Sequence, residues 1–117
     1  MDITIKRARY KSIHSKAVVL RKFKGELFEY NGLQFCIGFA EGNWMAIELQ
    51  TGHCAASYKP LHQESDSVSI DKVKKDMAYK AEKSYRLGLS RSLVFMSVQG
   101  FTLPINEEIQ SNDNKNP

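Results

Sequence analysis

The sequence predicts an α+β domain, built from an antiparallel β-meander of four or more strands with one amphipathic helix packed on one face. Two observations predict this class. Turn signals recur between short apolar segments across residues 27–58, and a stripe of apolar residues at helical spacing follows from residue 70. A meander with one strongly apolar face needs a second layer to cover it, and the helix supplies that layer.

The first hairpin of the meander is centred on Asn31-Gly32. This dipeptide supplies the positive φ angles that both central positions of a type I′ turn require. A two-residue turn pairs Tyr30 with Leu33, and the later pairs of the hairpin follow from that one.

The second turn lies in residues 41–43, and its length decides which side chains share a face. A three-residue turn keeps Phe39, Met45 and Ile47 together, whereas we expect a shorter turn to separate them. We therefore expect three residues in the turn. In that register Trp44 points away from the helix-covered face.

The helix is expected to begin near Ser67 or Ser69, either of which can cap it, and to end before Gly88. Its apolar positions recur every three or four residues, which is the period of one helix face. These positions are Ile70, Val73, Met77, Ala78, Ala81 and Tyr85.

Two segments are ambiguous. Residues 8–24 combine helical spacing with β-branched residues, and we favour strand–turn–strand because a Ser-His-Ser cluster interrupts them. Within residues 89–100 we favour a strand, with a second helix as the alternative. The domain is expected to span residues 1–106, and the polar, asparagine-rich residues 107–117 are expected to form a disordered tail.

Composition and motifs exclude several classes of function. No apolar run reaches the ~20 residues of a membrane span, and the N-terminus lacks the apolar segment of a secretory signal. Two cysteines do not make a disulfide framework, so we expect a cytoplasmic protein. Glycine-rich phosphate loops, nucleophile elbows and zinc or kinase motifs are missing. We therefore predict no enzyme activity, no catalytic residues, no metal and no cofactor.

The net charge of +4 is unevenly distributed. Residues 1–24 contain eight basic residues and one acid, which is +7, and the rest of the chain therefore carries −3. Such a segment indicates an acidic partner, either a phosphate backbone or an acidic protein surface, although solvated surface charge gives the same pattern. Arg7 and Arg9 are the partner-binding candidates from this segment.

A second basic surface is expected on the helix, opposite the apolar stripe. A ridge of cations with one aromatic can follow phosphates while the ring packs on a sugar or base, but lysine-rich helix surfaces are also commonly just solvated. The ridge comprises Lys72, Lys75, Tyr79, Lys83 and Arg86.

Trp44 is the third candidate. On the face away from the helix, beside small residues such as Gly38 and Ala46, an exposed tryptophan can anchor a protein interface. If the N-terminal strands cover that face, Trp44 belongs to a second core instead.

A metal site has only one set of candidate ligands, namely Cys36, Glu48 and His53, which the expected register places on one face. Such a site needs a fourth ligand, so a small metal-dependent enzyme is only a remote alternative. Cys36 and Cys54 are expected on opposite faces and therefore cannot bond to each other.

The strings Tyr-Asn-Gly-Leu-Gln-Phe, Gly-Asn-Trp and Thr-Gly followed by small residues are similar to small accessory proteins encoded by phages and mobile elements. The resemblance covers residues 27–58 and, more loosely, 70–87. The loop at 59–69 and the segment after Gly88 depart from it, and it transfers no active site. It implies a non-enzymatic accessory factor or inhibitor that binds a host macromolecule, with a host protein favoured. The alternative is direct nucleic-acid binding through the basic N-terminal segment and the basic helix face.

Overall fold

The computed structural model describes residues 1–83 and 85–110, without the side chains of residue 81 and of residues 83–87. It contains a five-stranded antiparallel sheet in the order β1-β2-β3-β4-β5 and two helices, which confirms the predicted α+β class and its meander. The elements are β1 (Asp2–Tyr10), β2 (Val18–Tyr30), β3 (Leu33–Ala40), β4 (Asn43–Glu48), β5 (Cys54–Tyr58), α1 (Asp66–Lys83) and α2 (Tyr85–Val98).

The N-terminal segment forms a long hairpin, as the strand–turn–strand interpretation predicts. β1 and β2 pair without a break from Asp2 opposite Glu26 to Tyr10 opposite Val18. The expected strand within residues 89–100 is wrong, because the segment lies in α2. In the helix, Leu89 and Met96 are buried and Leu93 packs against the core that lies under the helices, so the apolar residues at helical spacing share the covered face.

The boundaries of the helices differ from those expected. α1 begins one residue before Ser67, and the cap is Ser65, whose Oγ accepts a hydrogen bond from the Val68 N–H at 3.4 Å. Ser69 instead donates its hydroxyl to Glu64. Gly88 lies inside α2 rather than past the end of a helix.

The first hairpin turn is confirmed and the second prediction is wrong. Tyr30 lies opposite Leu33, as expected. The second turn has two residues, Glu41 and Gly42, with φ angles of 56° and 82°. It places Phe39 opposite Trp44.

This shift of register exchanges the two faces of β4. Trp44 joins the helix-covered face, while Met45 and Ile47 turn to the other side. The physical reason is tertiary, because the Glu41 carboxylate at the turn accepts hydrogen bonds from two arginines of β1. The residues of the turn alone do not reveal these hydrogen bonds to β1, which is distant in sequence.

Both faces of the sheet are consequently apolar and covered. The first core lies under the helices and consists of Leu33, Phe35, Ile37, Ala46, Ala56, Val73, Met77 and Leu89. The second core lies on the other face, where β1 and the N-terminal half of β2 supply most of the cover. It consists of Ile3, Ile5, Phe23, Cys36, Met45, Ile47 and Leu49.

Two glycines allow β2 to curl over the second face. A Cβ on Gly25 would lie 2.1 Å from the carbonyl oxygen of Ile37, and a Cβ on Gly38 would lie 2.2 Å from that of Lys24. The two backbones therefore approach more closely than any side chain permits. The curl brings β1 to the far end of the sheet, where the Ala8 N–H donates to the Gly52 carbonyl at 2.8 Å.

Two side-chain amides hold the segment after α2 against the sheet. The side-chain N–H of Gln34 donates to the carbonyl oxygen of Ile109, and its side-chain oxygen accepts a hydrogen bond from the N–H of Ile109, both at 2.8 Å. Asn106 makes the same pair of bonds with the backbone of Lys6, again at 2.8 Å. Residues 107–110 of the expected tail therefore follow a segment bound to the sheet, and residues 111–117 lie outside the described residues.

Gly38→Ala is expected to destabilise the protein by about 1–3 kcal/mol, because the new methyl group must displace backbone and the Phe23 ring. Gly88→Ala is the matched control, since nothing lies within 4 Å of its added Cβ and α2 gains about 0.5–1 kcal/mol from losing a glycine. Urea unfolding of both variants measures the two changes. A Gly38→Ala variant as stable as the wild type would contradict the close approach.

Candidate functional site

The β1–β2 hairpin carries a larger excess of positive charge than either helix, and we name it the cationic ribbon. Apart from Arg7 and Arg9, its basic side chains are exposed on both strands and on the connecting turn. None of them forms an ion pair with a carboxylate in the part of the chain that the structure describes. They are Lys6, Lys11, Lys16, Arg21, Lys22 and Lys24.

Like charges lie directly opposite each other on this ribbon. Lys6 is the cross-strand partner of Lys22, and Lys24 follows two residues later on the same face. Opposed like charges destabilise a sheet. The acidic pair at the other end of the ribbon differs, because Glu26 has Lys74 as a partner at 2.6 Å. Within the described residues, no carboxylate forms an ion pair with Lys6, Lys22 or Lys24.

Arg7 does not belong to the exposed surface, although it was a candidate for partner binding. Its side chain is only 10% exposed and its guanidinium lies 5.6 Å from the centre of the Phe23 ring. It also contacts the Met45 sulfur and binds Glu41 at 2.6 Å. Arg7 is thus a structural residue of the second core. Arg9 shares the Glu41 carboxylate at 2.7 Å but remains about half exposed.

The basic ridge of α1 is largely neutralised. The helix contains five lysines and four acidic residues, and Lys72 is bound to Glu64 at 2.5 Å and to the Tyr58 hydroxyl at 2.8 Å. Lys75 and Tyr79 are exposed. Lys83 and Arg86, the other two predicted positions, have side chains outside the described part of the structure. The ridge is therefore a less basic surface than the cationic ribbon.

Glu64 is the centre of a polar network where the chain enters α1. Its carboxylate accepts hydrogen bonds from Lys72, Tyr58, Ser69 and the N–H of Leu61. Lys72 makes the largest contribution to lowering the pKa of this carboxyl from 4.5 to about 2. Glu64 therefore remains ionised at any physiological pH and holds the loop onto the helix.

Trp44 lies beside this network, on the face opposite to the one expected. It is half-buried against the first core, and its ring contacts Phe39 edge-on with centroids 5.3 Å apart. Phe39 is 52% exposed and Leu61 is 65% exposed. Together with Pro60, these residues form an exposed apolar surface, which we name the aromatic corner.

The three residues considered as metal ligands are not brought together. Cys36 is buried in the second core, Glu48 accepts hydrogen bonds from Thr51, and His53 lies 5.8 Å from the Phe95 ring. Within residues 1–83 and 85–110, no three acidic, histidine or cysteine side chains could hold a metal ion together. Burial raises the pKa of the Cys36 thiol to about 12, so it stays protonated at neutral pH.

A groove of about 460 Å³ lies between the cationic ribbon and α2. The sequence alone did not identify it, because nothing in the chain order places the segment after residue 89 against the β1–β2 hairpin. The four-residue spacing of Arg91 and Phe95 along a helix was the signal that could have joined them. The groove is lined by Ala8, Arg9, Tyr10, Val18, His53, Cys54, Arg91, Ser92 and Phe95.

Comparisons of the chain with protein-family models, with curated proteins and with solved structures find no match. Within the described residues, neither helix combines the length and apolar content that crossing a membrane requires. The class that the fold defines is an α+β domain, and its candidate site is a basic ribbon bordering a groove.

We expect stability to depend on Glu64 only above acidic pH. Because its pKa in the folded protein is lowered to about 2, its stabilising effect is complete above its ordinary pKa of 4.5 and disappears as pH falls towards 2. The difference in unfolding free energy between the wild type and Glu64→Gln should therefore shrink across that interval. Chemical denaturation at a series of pH values measures it.

Lys72→Met supplies the control for this prediction, since it removes the largest cause of the lowered pKa and should move the loss of stability to higher pH. A stability difference that stays constant down to pH 2 would refute the role of the network.

Proposed function

We propose that this protein is a non-enzymatic binding protein that engages an acidic macromolecule, specifically a nucleic acid, through its cationic ribbon. The opposed pair Lys6 and Lys22, with Lys24 beside it, is the observation that carries the proposal. Phosphates placed between these side chains would remove a repulsion that no described carboxylate relieves. A local arrangement that costs stability is expected where a protein binds its partner. A cytoplasmic location is part of the proposal.

The shape of the ribbon supports the same ligand. Side chains two residues apart on a strand are about 6.6–6.8 Å apart, so Lys22 and Lys24 form a short regular row of cations. The paired lysines of α1 offer less free charge, which favours the ribbon as the main contact.

The variant Lys22→Glu/Lys24→Glu is expected to bind oligonucleotides at least tenfold more weakly and to lower the slope of log affinity against log salt by about two, one unit for each phosphate contact. Fluorescence anisotropy with labelled single-stranded and duplex oligonucleotides from about 50 to 200 mM salt measures both effects.

Lys75→Glu is the control, because Lys75 is an exposed lysine on α1 and the charge change per substituted lysine is the same as in the double variant. Its affinity should stay within about twofold of the wild type. Equal loss in the control would assign binding to the helix ridge, and no binding to any oligonucleotide at low salt would eliminate the proposal.

A second candidate function is the one that the resemblance to phage and mobile-element proteins implies, a factor or inhibitor that binds a host protein. The aromatic corner favours it, because Phe39 and Leu61 are large apolar side chains exposed beside the half-buried Trp44. Aromatic side chains of this kind are enriched in the central contacts of protein interfaces.

Leu61→Asp should abolish capture of a specific host protein if this second function is correct, and it should leave the fold intact because Leu61 lies on an exposed turn. Affinity purification from host extract, with circular dichroism of the variant, measures the two properties. Unchanged capture by Leu61→Asp would remove the aromatic corner as an interface.

A further inference from the structure

We propose that the groove between the cationic ribbon and α2 receives a nucleobase of a single-stranded nucleic acid, so that the protein prefers single strands to duplexes. The inference rests on the proposed nucleic-acid function and specifies the class of its ligand. The aromatic walls of the groove, Tyr10 and Phe95, were identified by neither the charge pattern nor the motifs of the sequence.

The size and the walls of the groove fit a flat aromatic ligand. Its volume of about 460 Å³ falls in the range of sites that bind small molecules. Tyr10 lines it from β1 and Phe95 lines it from α2. Tyr10 is 55% exposed, so much of its ring is available for stacking. Stacking on aromatic rings is the contact by which proteins hold the bases of single strands.

Cations lie at the same groove. Arg9 and Arg91 both line it and are both exposed. Arg9 shares the Glu41 carboxylate with Arg7, so two guanidinium groups meet one acid and a net positive charge remains. Arg91 forms no ion pair with any carboxylate in the described part of the chain. A backbone phosphate attached to the bound base would therefore find a cation next to it.

The remaining polar groups suit a neutral base better than a second anion. Burial lowers the pKa of His53, so its imidazole is neutral at pH 7 and presents one donor and one acceptor. Burial likewise raises the pKa of the Cys54 thiol, which stays protonated. Ser92 adds a hydroxyl on α2. Groups that donate and accept in this way match the edge of an unpaired base.

The position of the groove explains the expected preference for single strands. Tyr10 and Val18 line it, and they are the last pair of the ribbon that carries Lys22 and Lys24. A strand whose phosphates lie along these lysines can place a base in the groove without leaving the surface. In a duplex the same base is paired and stacked, and its extrusion costs a few kcal/mol.

The test measures the affinity of Tyr10→Ala, Tyr10→Phe and wild type for a twelve-nucleotide oligo(dT) and for a twelve-base-pair duplex by fluorescence anisotropy. We expect wild type to bind the single strand more tightly. Tyr10→Ala should weaken single-strand binding roughly tenfold and change duplex binding by less than twofold, because only the single strand loses a stacked base. Tyr10→Phe keeps the ring and should bind like the wild type.

The outcomes separate this inference from the function on which it rests. If Tyr10→Ala binds the single strand like the wild type while Lys22→Glu/Lys24→Glu does not, the groove inference fails and the nucleic-acid function stands. Tighter binding of the duplex would also overturn the inference. If a poly-glutamate peptide displaces oligo(dT) at equal charge concentration, the site recognises acidic polymers in general, and both proposals fail.

Discussion

The close approach of β2 and β3 at Gly25 and Gly38 is the constraint on which the rest of the structure depends. Because neither residue carries a Cβ, the backbone of β2 can cross β3 in near contact and continue over the second face of the sheet. That path buries Ile3, Ile5 and Phe23 in a core of their own. A chain of 117 residues thereby buries both faces of one sheet, with helices on one side and its own first hairpin on the other.

The course of β1 and β2 over the second face also determines which basic side chains are exposed and which are bound to a carboxylate. Arg7 turns inward and is balanced by Glu41, so its charge stabilises the fold and is not available to a partner. The lysines of the neighbouring positions point to the opposite, uncovered side of the ribbon, where Lys6 faces Lys22. One alternating strand therefore contributes a buried, structural arginine and an exposed lysine at consecutive residues, which follows from the two-residue period of strands.

The candidate site was only partly predictable. The excess of positive charge in the first 24 residues was visible in the sequence, but the candidates predicted from it were Arg7 and Arg9 rather than the lysines. The deciding information was which face of β1 and β2 becomes buried, and that depends on the curl. The groove could not be predicted at all, since it joins Tyr10 to Phe95, residues of elements distant in sequence.

By itself the sequence determined the meander followed by a helix, the first hairpin register and the amphipathic face of α1, because turn chemistry and hydrophobic period act between near neighbours. Tertiary structure alone decided the two-residue turn at Glu41, which holds two arginines of β1, and with it the face on which Trp44 lies. It also decided that the segment after Gly88 is a helix, because the sheet and α1 leave an apolar surface that Leu89 and Leu93 cover at helical spacing. Contacts between distant residues select between local conformations of similar energy, and these contacts exist only once the chain has folded.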